Sequence, residues 1–331
     1  MKNRKRFFWV LFLGFVFNFL FPAPAGAQES PPEEAEFTDA ADLEVQLSSR
    51  PELKVKFTET LTFPFLRGDG LLTEGNNIQT IFSAEATPVS LSGIAEAVLT
   101  PVAFFQAVTG GKIGSGWDID LFGSDIYGIG INTPGDEGAA KPRKSKVSGS
   151  AFDGLLWSVW GGGALQFDLA AIFPGDWTHV LFRTYHAARY AAYTRANSGE
   201  SWFFEADHGE NRNGWVYYSN YLLGYQMPLS PVLDTVAFMG ELKKNLYNTP
   251  GGDYWGDSLG DWILSGICNF TLGPKFRTAL VVQLRSWRNH GSSDLENDGM
   301  IYYQDRELKG DYGERRLAFY RAAFILGYKL R

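Results

Sequence analysis

The side chains best suited to chemistry are two acids and two histidines in polar segments. EADHGE contains Asp207, His208 and Glu210, and SWRNH ends in His290. A carboxylate beside an imidazole is the arrangement with which hydrolases activate water or a hydroxyl nucleophile. Asp207 and His208 are adjacent, however, and adjacent residues of an extended chain point to opposite sides. We therefore expect each histidine to be an ordinary loop or rim residue, with a rim hydrolase as the alternative.

Other polar stretches lack the spacing that would define a metal or cofactor site. DLENDG and NTPGGDYWGDSLGD are rich in acids and glycine, but neither has the spacing of an EF-hand calcium loop. SDIYGIGINTPG contains glycines without a following helix, which does not favour a phosphate-binding loop. The single cysteine, Cys268, excludes an intramolecular disulfide. The sequence thus predicts no metal site and no cofactor.

A different set of polar side chains recurs at every second position of apolar segments. In FDGLLWSVWGGGALQFDLAAIF, residues 152–173, the odd-numbered positions from 155 to 171 are all apolar, whereas Gln166 and Asp168 lie on the other face. A period of two residues is that of a β-strand. Helical membrane spans over 93–111 and 155–173 are an alternative, but they would place carboxylates in hydrocarbon. The alternation predicts a strand with one apolar and one polar face.

Ten segments have this alternation, and polar or glycine-rich connections separate them. Short connections such as FPGD and GPK follow the even-numbered segments, and long ones such as 114–151 follow the odd-numbered segments. This arrangement is typical of an antiparallel up-and-down barrel with short turns at one end and long loops at the other. We predict about ten strands, or twelve if LKGDYG is the tip of an added hairpin. The predicted strands are 52–66, 77–88, 92–113 (bent near Pro101), 152–173, 177–194, 215–227, 232–246, 261–272, 276–288 and 316–331.

The first 50 residues differ from the rest of the chain. Residues 1–27 have a basic start, an apolar run and an Ala-Gly-Ala end, which predicts a cleavable signal peptide. Residues 28–50 are acidic and proline-containing, and we predict a flexible periplasmic leader before a barrel over 51–331. Losing the four basic residues at 2, 4, 5 and 6 would change the net charge from −7 to −11. Such a protein is a poor partner for nucleic acid.

With this export signal, strand alternation and loop asymmetry, the chain resembles bacterial outer-membrane β-barrel proteins over about 52–331. Its last segment, FYRAAFILGYKLR, is one of these signals, but it departs from the family pattern, in which the final residue is usually Phe, Tyr or Trp, because Leu330 and Arg331 follow Tyr328 and Lys329. The segment TPVAFFQAVTGGKIGSGW is weakly similar to uncharacterised spirochaete outer-membrane proteins. The resemblance implies an outer-membrane location, with membrane lipids and the barrel assembly machinery as partners. Long outer loops could also bind an extracellular ligand. A secreted or periplasmic β-protein is the alternative location.

The polar face of the strands would line the inside of such a barrel. Ten strands enclose a narrow lumen, so a general porin is not expected. Charges of both signs should pair there, because an isolated buried charge is costly. Two functions follow: a structural or interaction barrel with surface-exposed loops, or a narrow solute channel with a charged lumen. A ten-stranded barrel also resembles the omptin proteases, which makes an omptin-like or lipid-acting hydrolase the enzymatic alternative. The predicted lumen-lining residues are Glu96, Gln166, Asp168, Arg183, Arg189, Glu241, Lys243, Arg277, Arg285 and Arg321.

Overall fold

A closed antiparallel barrel of twelve strands forms the body of the protein. Each strand pairs with its neighbours in the chain, and the last strand pairs with the first. The computed structural model describes residues 8–10, 19–21, 37–50, 52–121, 124–134, 144–205, 211–228, 232–246, 260–287, 290–292, 306–308 and 314–331. The barrel strands are β1 Thr38–Ser48, β2 Leu53–Pro64, β3 Asn77–Thr87, β4 Ser90–Val102, β5 Phe105–Gly116, β6 Leu156–Asp168, β7 Val180–Tyr193, β8 Gly214–Gln226, β9 Leu233–Asn245, β10 Asp261–Thr271, β11 Phe276–Trp287 and β12 Arg316–Lys329.

The barrel confirms the predicted fold class, and β6 shows its two faces pointing in the predicted directions. In β6, Trp157, Val159 and Leu165 are exposed on the outside, while Ser158 and Gln166 are buried inside. Both segments weighed as membrane helices are strands. No helix within the described residues is long and apolar enough to cross a bilayer.

Aromatic side chains lie at both ends of the outer surface. At one end, Tyr190 contacts Trp157 and Trp215, with ring centroids 5.3 and 5.5 Å apart. At the other end, Phe276 and Tyr328 pack with centroids 4.9 Å apart. Membrane barrels place aromatic rings at the two bilayer interfaces, where the apolar body and polar edge of the ring are both accommodated.

Two strands beyond the ten preferred in the prediction complete the barrel. One is β1, which lies in the segment that the prediction assigned to the leader. Its polar residues, such as Glu44 and Gln46, face the barrel interior. The acidic composition of this segment therefore reflects the inward face of a strand and not a flexible leader. The other arises because 92–113 is a hairpin of β4 and β5 that turns at Ala103 and Phe104, and not one bent strand. The added hairpin expected at LKGDYG does not supply either strand.

The regions before β1 are described only in part. Phe8–Val10 and Phe19–Phe21 pair as short antiparallel strands. The rest of the signal peptide and leader residues 28–36 lie outside the described residues. Cleavage of residues 1–27 therefore stays a prediction.

The hairpin between β4 and β5 also changes which connections share an end of the barrel. We call the end that carries the connections 117–155, 194–213, 246–260 and 288–315 the loop end, and the opposite end the turn end. The predicted long outer loop near 67–76 lies at the turn end, and the PVSLS turn after β3 lies at the loop end. The predicted alternation of loop lengths therefore fails for these first two connections, because an unrecognised hairpin reverses the direction of every strand before it.

The long connections build a second sheet at the loop end, which we call the loop sheet. It has five short antiparallel strands from three connections. Trp202, Phe203 and Phe204 of this sheet are buried, and Trp202 and Phe204 pack with Ile129, Leu156 and other apolar residues. The described parts of these three connections therefore form ordered structure at the loop end of the barrel. The strands of the loop sheet are Ile129–Pro134, Lys144–Ser148, Ser201–Phe204, His290–Ser292 and Arg306–Leu308.

Candidate functional site

A cavity of about 300 Å³ lies inside the loop-end half of the barrel, and we call it the vestibule. Trp202 and Phe204 of the loop sheet form part of its lining, together with side chains from most barrel strands. Its volume is within the range of pockets that hold small molecules.

Cations outnumber carboxylates in the lining of the vestibule. Seven basic and four acidic side chains leave an excess of three positive charges, although the whole chain has a net charge of −7. The lining of the vestibule thus has the opposite charge balance to the protein as a whole. The basic residues are Lys54, Lys112, Arg189, Arg212, Lys243, Arg285 and Arg321; the acidic ones are Glu52, Glu205, Glu241 and Asp261.

Two arginines on β11 and β12 form ion pairs across the wall. Arg285 holds Asp261 of β10 in a two-pronged contact, with Nη2 2.5 Å and Nε 3.2 Å from Oδ2. Arg321 pairs with Glu52 at the start of β2. Planar guanidinium groups suit such geometry, and the pairing fixes both arginines at the vestibule wall.

Tyr320 lies between these arginines, although the alternation placed it on the outer face. The register between β11 and β12 shifts at Gln283 and Leu284, so that Tyr320 is the extra residue of a β-bulge and is only 6% exposed. The Arg285 and Arg321 guanidinium carbons lie 5.2 and 4.9 Å from the ring centroid. The ring therefore contributes cation–π contacts inside the barrel, and not an apolar contact outside it.

The facing wall combines aromatic and charged groups. Trp160 donates from Nε1 to Glu96 Oε1 over 3.2 Å. Arg189 donates from Nη2 to the Ser158 hydroxyl over 2.6 Å, and its guanidinium carbon lies 5.1 Å from the Trp160 ring centroid. Ser158 and Trp160, both neutral, therefore hold the Arg189 guanidinium at the vestibule wall.

Two further contacts link β8, β9 and the loop that precedes β8. The Tyr218 hydroxyl lies 2.6 Å from Glu241 Oε1. Lys243 Nζ donates to Asn211 Oδ1 over 2.6 Å. The loop residue Asn211 therefore forms part of the vestibule lining at the loop end.

Glu205 is the carboxylate that the loop sheet places in the vestibule. Its Oε2 lies 3.1 Å from Lys54 Nζ, and its Oε1 accepts from the Ser90 hydroxyl over 2.7 Å. Burial acts to raise the pKa of this carboxyl, but Lys54 and Lys112 and the Ser90 hydrogen bond outweigh burial and hold the pKa below its usual value. Glu205 is therefore ionised at neutral pH.

The turn-end half of the interior contains a buried apolar cluster, two members of which, Tyr185 and Ala187, also line the vestibule. Ten of the twelve strands, β3 to β12, contribute to it, and none of its members is more than 6% exposed. The lumen at this level is packed with side chains. We call this set the apolar cluster: Ile81, Val98, Val108, Ala164, Leu181, Tyr185, Ala187, Leu222, Ala237, Met239, Ile267, Ala279, Val281, Ala323 and Ile325.

The structure divides the ten predicted lumen residues into two groups. Arg189, Glu241, Lys243, Arg285 and Arg321 line the vestibule together. The other five do not line it. Of these, Glu96, Gln166 and Arg183 are buried in the barrel, Asp168 is at the end of β6, and Arg277 is near the start of β11.

Several vestibule residues were not among the predicted ones. The alternation of the first predicted strand already placed Lys54 on a polar face, so this residue could have been included. Glu205 belongs to the loop that joins β7 and β8, and no periodicity in the sequence marks it. Its position depends on the pairing of the loop sheet.

The three histidines within the described residues lie in different parts of the molecule. At the turn end, His179 Nδ1 is 2.8 Å from Asp168 Oδ2. His186 is on the outer face, where Nδ1 lies 2.7 Å from the Tyr217 hydroxyl. His290 is in the loop sheet, whereas EADHGE beyond Glu205 lies outside the described residues. No group of three or more His, Cys, Asp or Glu side chains within the described part of the chain is placed to hold a metal ion.

The closed antiparallel wall, even strand number, apolar exterior and aromatic ends define a bacterial outer-membrane β-barrel. No family model matches the chain, and no curated protein matches it. Among solved structures, it is similar to the NanC porin at a TM-score of 0.40 and 6% identity, over 88% of this chain and 100% of that one. It is also similar to the KdgM porin (0.33, 10%) and to the KdgM porin in complex with disordered oligogalacturonate (0.34, 11%), each over 89% of this chain and 100% of the other.

Proposed function

We propose that this protein resides in the outer membrane, where its vestibule takes up small anionic solutes from the loop end and passes them through a narrow lumen. The cation excess of the vestibule lining is the observation that carries the proposal. Charges in a cleft with low-dielectric walls focus the field and raise the local concentration of counter-ions. Rings of basic side chains favour anions in pores for the same reason.

The apolar cluster limits how such a channel would conduct. Its side chains fill the lumen below the vestibule, and hydrophobic constrictions close pores by excluding water. Passage of a solute therefore requires these side chains to move apart. We expect small and infrequent conductance steps from the unmodified protein.

Planar-bilayer recording of the purified protein in a potassium chloride gradient tests the proposal. The unmodified protein should give a reversal potential that shows a preference for chloride. The double variant Arg189→Gln/Lys243→Gln should shift this potential toward potassium, and its two cations hydrogen-bond to neutral side chains in the folded barrel. Arg316→Gln is the matched control, because Arg316 is exposed and pairs with Glu314. Equal reversal potentials for the double variant and the unmodified protein would refute anion selection by the vestibule.

A second candidate function is binding of a partner by the loops, with a lumen that stays closed. The packed apolar cluster favours it, because nothing crosses a lumen that stays filled. Inserted protein that is compact on unheated gels but electrically silent would support this candidate. Fractionation of cells, with protease treatment of intact cells, tests the outer-membrane location and the exposure of the loop end.

A further inference from the structure

We infer that Lys54 and Ser90 form a carboxylate-binding site that the chain's own Glu205 occupies. The loop carboxylate would then compete with the carboxylate of an incoming solute. This inference rests on the proposed function, because it names the chemical group of the anion that the vestibule takes up.

The site belongs to the barrel wall and not to the loop. Lys54 is on β2 and Ser90 begins β4, and these residues are 151 and 115 positions away from Glu205 in the chain. Each carboxylate oxygen has its own partner: Oε2 lies 3.1 Å from the Lys54 ammonium, and Oε1 accepts the Ser90 hydroxyl over 2.7 Å. One ammonium and one hydroxyl match the two oxygens of a single carboxylate.

The charged side chains of the neighbouring barrel strands explain why Lys54 requires a carboxylate from outside the barrel wall. Glu85 on β3 lies closest to two other lysines, with its oxygens 3.0 Å from Lys112 Nζ and 4.0 Å from Lys56 Nζ, and its charge also acts on Lys54 without a direct ion pair. The carboxylate that pairs with Lys54 comes from the loop. Without Glu205, the Lys54 ammonium would face the vestibule with a charge left to neutralise, which an anionic solute could supply.

The backbone at Glu205 indicates that the loop sheet imposes this contact. Glu205 has φ +55°, a left-handed conformation that is unfavourable for a residue with a Cβ atom. Its amide donates to the Gly128 carbonyl over 2.7 Å, and it directly follows the buried strand Ser201–Phe204. A ligand carboxylate that displaces the Glu205 carboxylate from Lys54 and Ser90 would let the Glu205 backbone leave this unfavourable conformation. This relief would offset part of the free energy lost with the Glu205 contacts.

Calorimetric titration of the detergent-solubilised full-length protein with glucuronate tests the inference, with glucose as the uncharged counterpart of the same ring size. Glu205→Gln should bind glucuronate at least tenfold more tightly than the unmodified protein, and neither should bind glucose. Lys54→Gln/Glu205→Gln should lose that gain, because it removes the ammonium. Glu200→Gln is the control: Glu200 is a partly exposed acid of the same connection, and its Oε2 accepts hydrogen bonds from the backbone amide and the side chain of Asn197.

Glu205→Asp serves if the glutamine variant does not fold, because it keeps the charge but shortens the reach to Ser90. We expect it to bind glucuronate at least threefold more tightly than the unmodified protein. Unchanged affinity in the folded variants, judged by compact migration on unheated gels, would overturn the inference. Failure of the proposed function would instead appear as an absence of chloride preference in the bilayer, which is a separate readout.

Discussion

The two halves of the barrel interior share the same strands but hold different contents. Strand β7 shows the contrast along one line of inward-facing residues: Arg189 lines the vestibule, Tyr185 and Ala187 belong both to its lining and to the apolar cluster, and Leu181 belongs to the cluster alone. The wall and its pairing are alike in both halves. The inward side chains alone therefore decide whether a given level of the lumen holds a cavity or a packed core.

The two halves should also differ in how substitutions change the free energy of unfolding. The apolar cluster consists of buried, packed side chains, so truncating one of them should cost as it does in the core of a soluble protein. The loop-end half holds charges that are stable only as pairs, so removing one partner should cost more than removing both. Four predictions follow, in order of expected effect.

The largest effect is expected from breaking the pair between β10 and β11. Arg285→Gln leaves the Asp261 carboxylate in the wall without its two-pronged partner, which should lower the free energy of unfolding by about 3–5 kcal/mol. Arg285→Gln/Asp261→Asn should recover most of this loss. Urea unfolding in detergent micelles measures both. A double variant no more stable than the single one would show that the pair is not the relevant interaction.

In the apolar cluster, Leu222→Ala should cost about 2–5 kcal/mol, because it opens a cavity opposite Met239. It should also raise the frequency of conductance steps in a planar bilayer. Leu223→Ala is the matched control: Leu223 is the next residue, is 55% exposed and faces outward. If both variants change conductance equally, the apolar cluster does not close the lumen.

A smaller effect is expected where a neutral donor supports a buried acid. Trp160→Phe removes the hydrogen bond to Glu96 but keeps most of the ring, so we expect a loss of about 1–3 kcal/mol. Trp157→Phe is the control on the outer face of the same strand. The difference between the two unfolding midpoints gives the contribution of the buried hydrogen bond, and equal midpoints would argue that Glu96 finds another donor.

The smallest effect concerns pH. The pKa of Glu205 is lower in the folded protein than its usual value, so its contribution to stability is complete above that usual value and declines only as pH falls through the lower, folded pKa. The groups around it are Lys54, Lys112, Ser90 and Glu85. The stability difference between the unmodified protein and Glu205→Gln should therefore stay constant from pH 7 to about pH 5. A difference that declines already between pH 7 and 6 would contradict this.

The wall of the barrel was largely predictable from the sequence, because the period of two residues is a local property. The prediction was incomplete where local composition was ambiguous: β1 has acids and no long apolar run, and the turn at Ala103 and Phe104 has no glycine or asparagine to mark it. The bulge at Tyr320 was not predicted either, because a bulge reverses the alternation of the two strand faces without a distinct residue pattern.

The site was less predictable than the wall. Alternation identified Arg285, Arg321 and other inward charges but not their height along the barrel, which depends on the stagger between strands. The alternation also gave no reason to separate Arg189 from Arg183, which face the same interior at different levels. Glu205 depends on pairing between distant loops, which no local pattern encodes.

The loop sheet ties together three connections that are far apart in the chain. Surface loops of most scaffolds can change length independently, whereas here an insertion in one connection must preserve the strand pairing of the other two. A cut in one of these loops would leave its fragments joined by the hydrogen bonds of the sheet. The loop end of the barrel should therefore change in evolution as one unit, with compensating substitutions spread over all three connections.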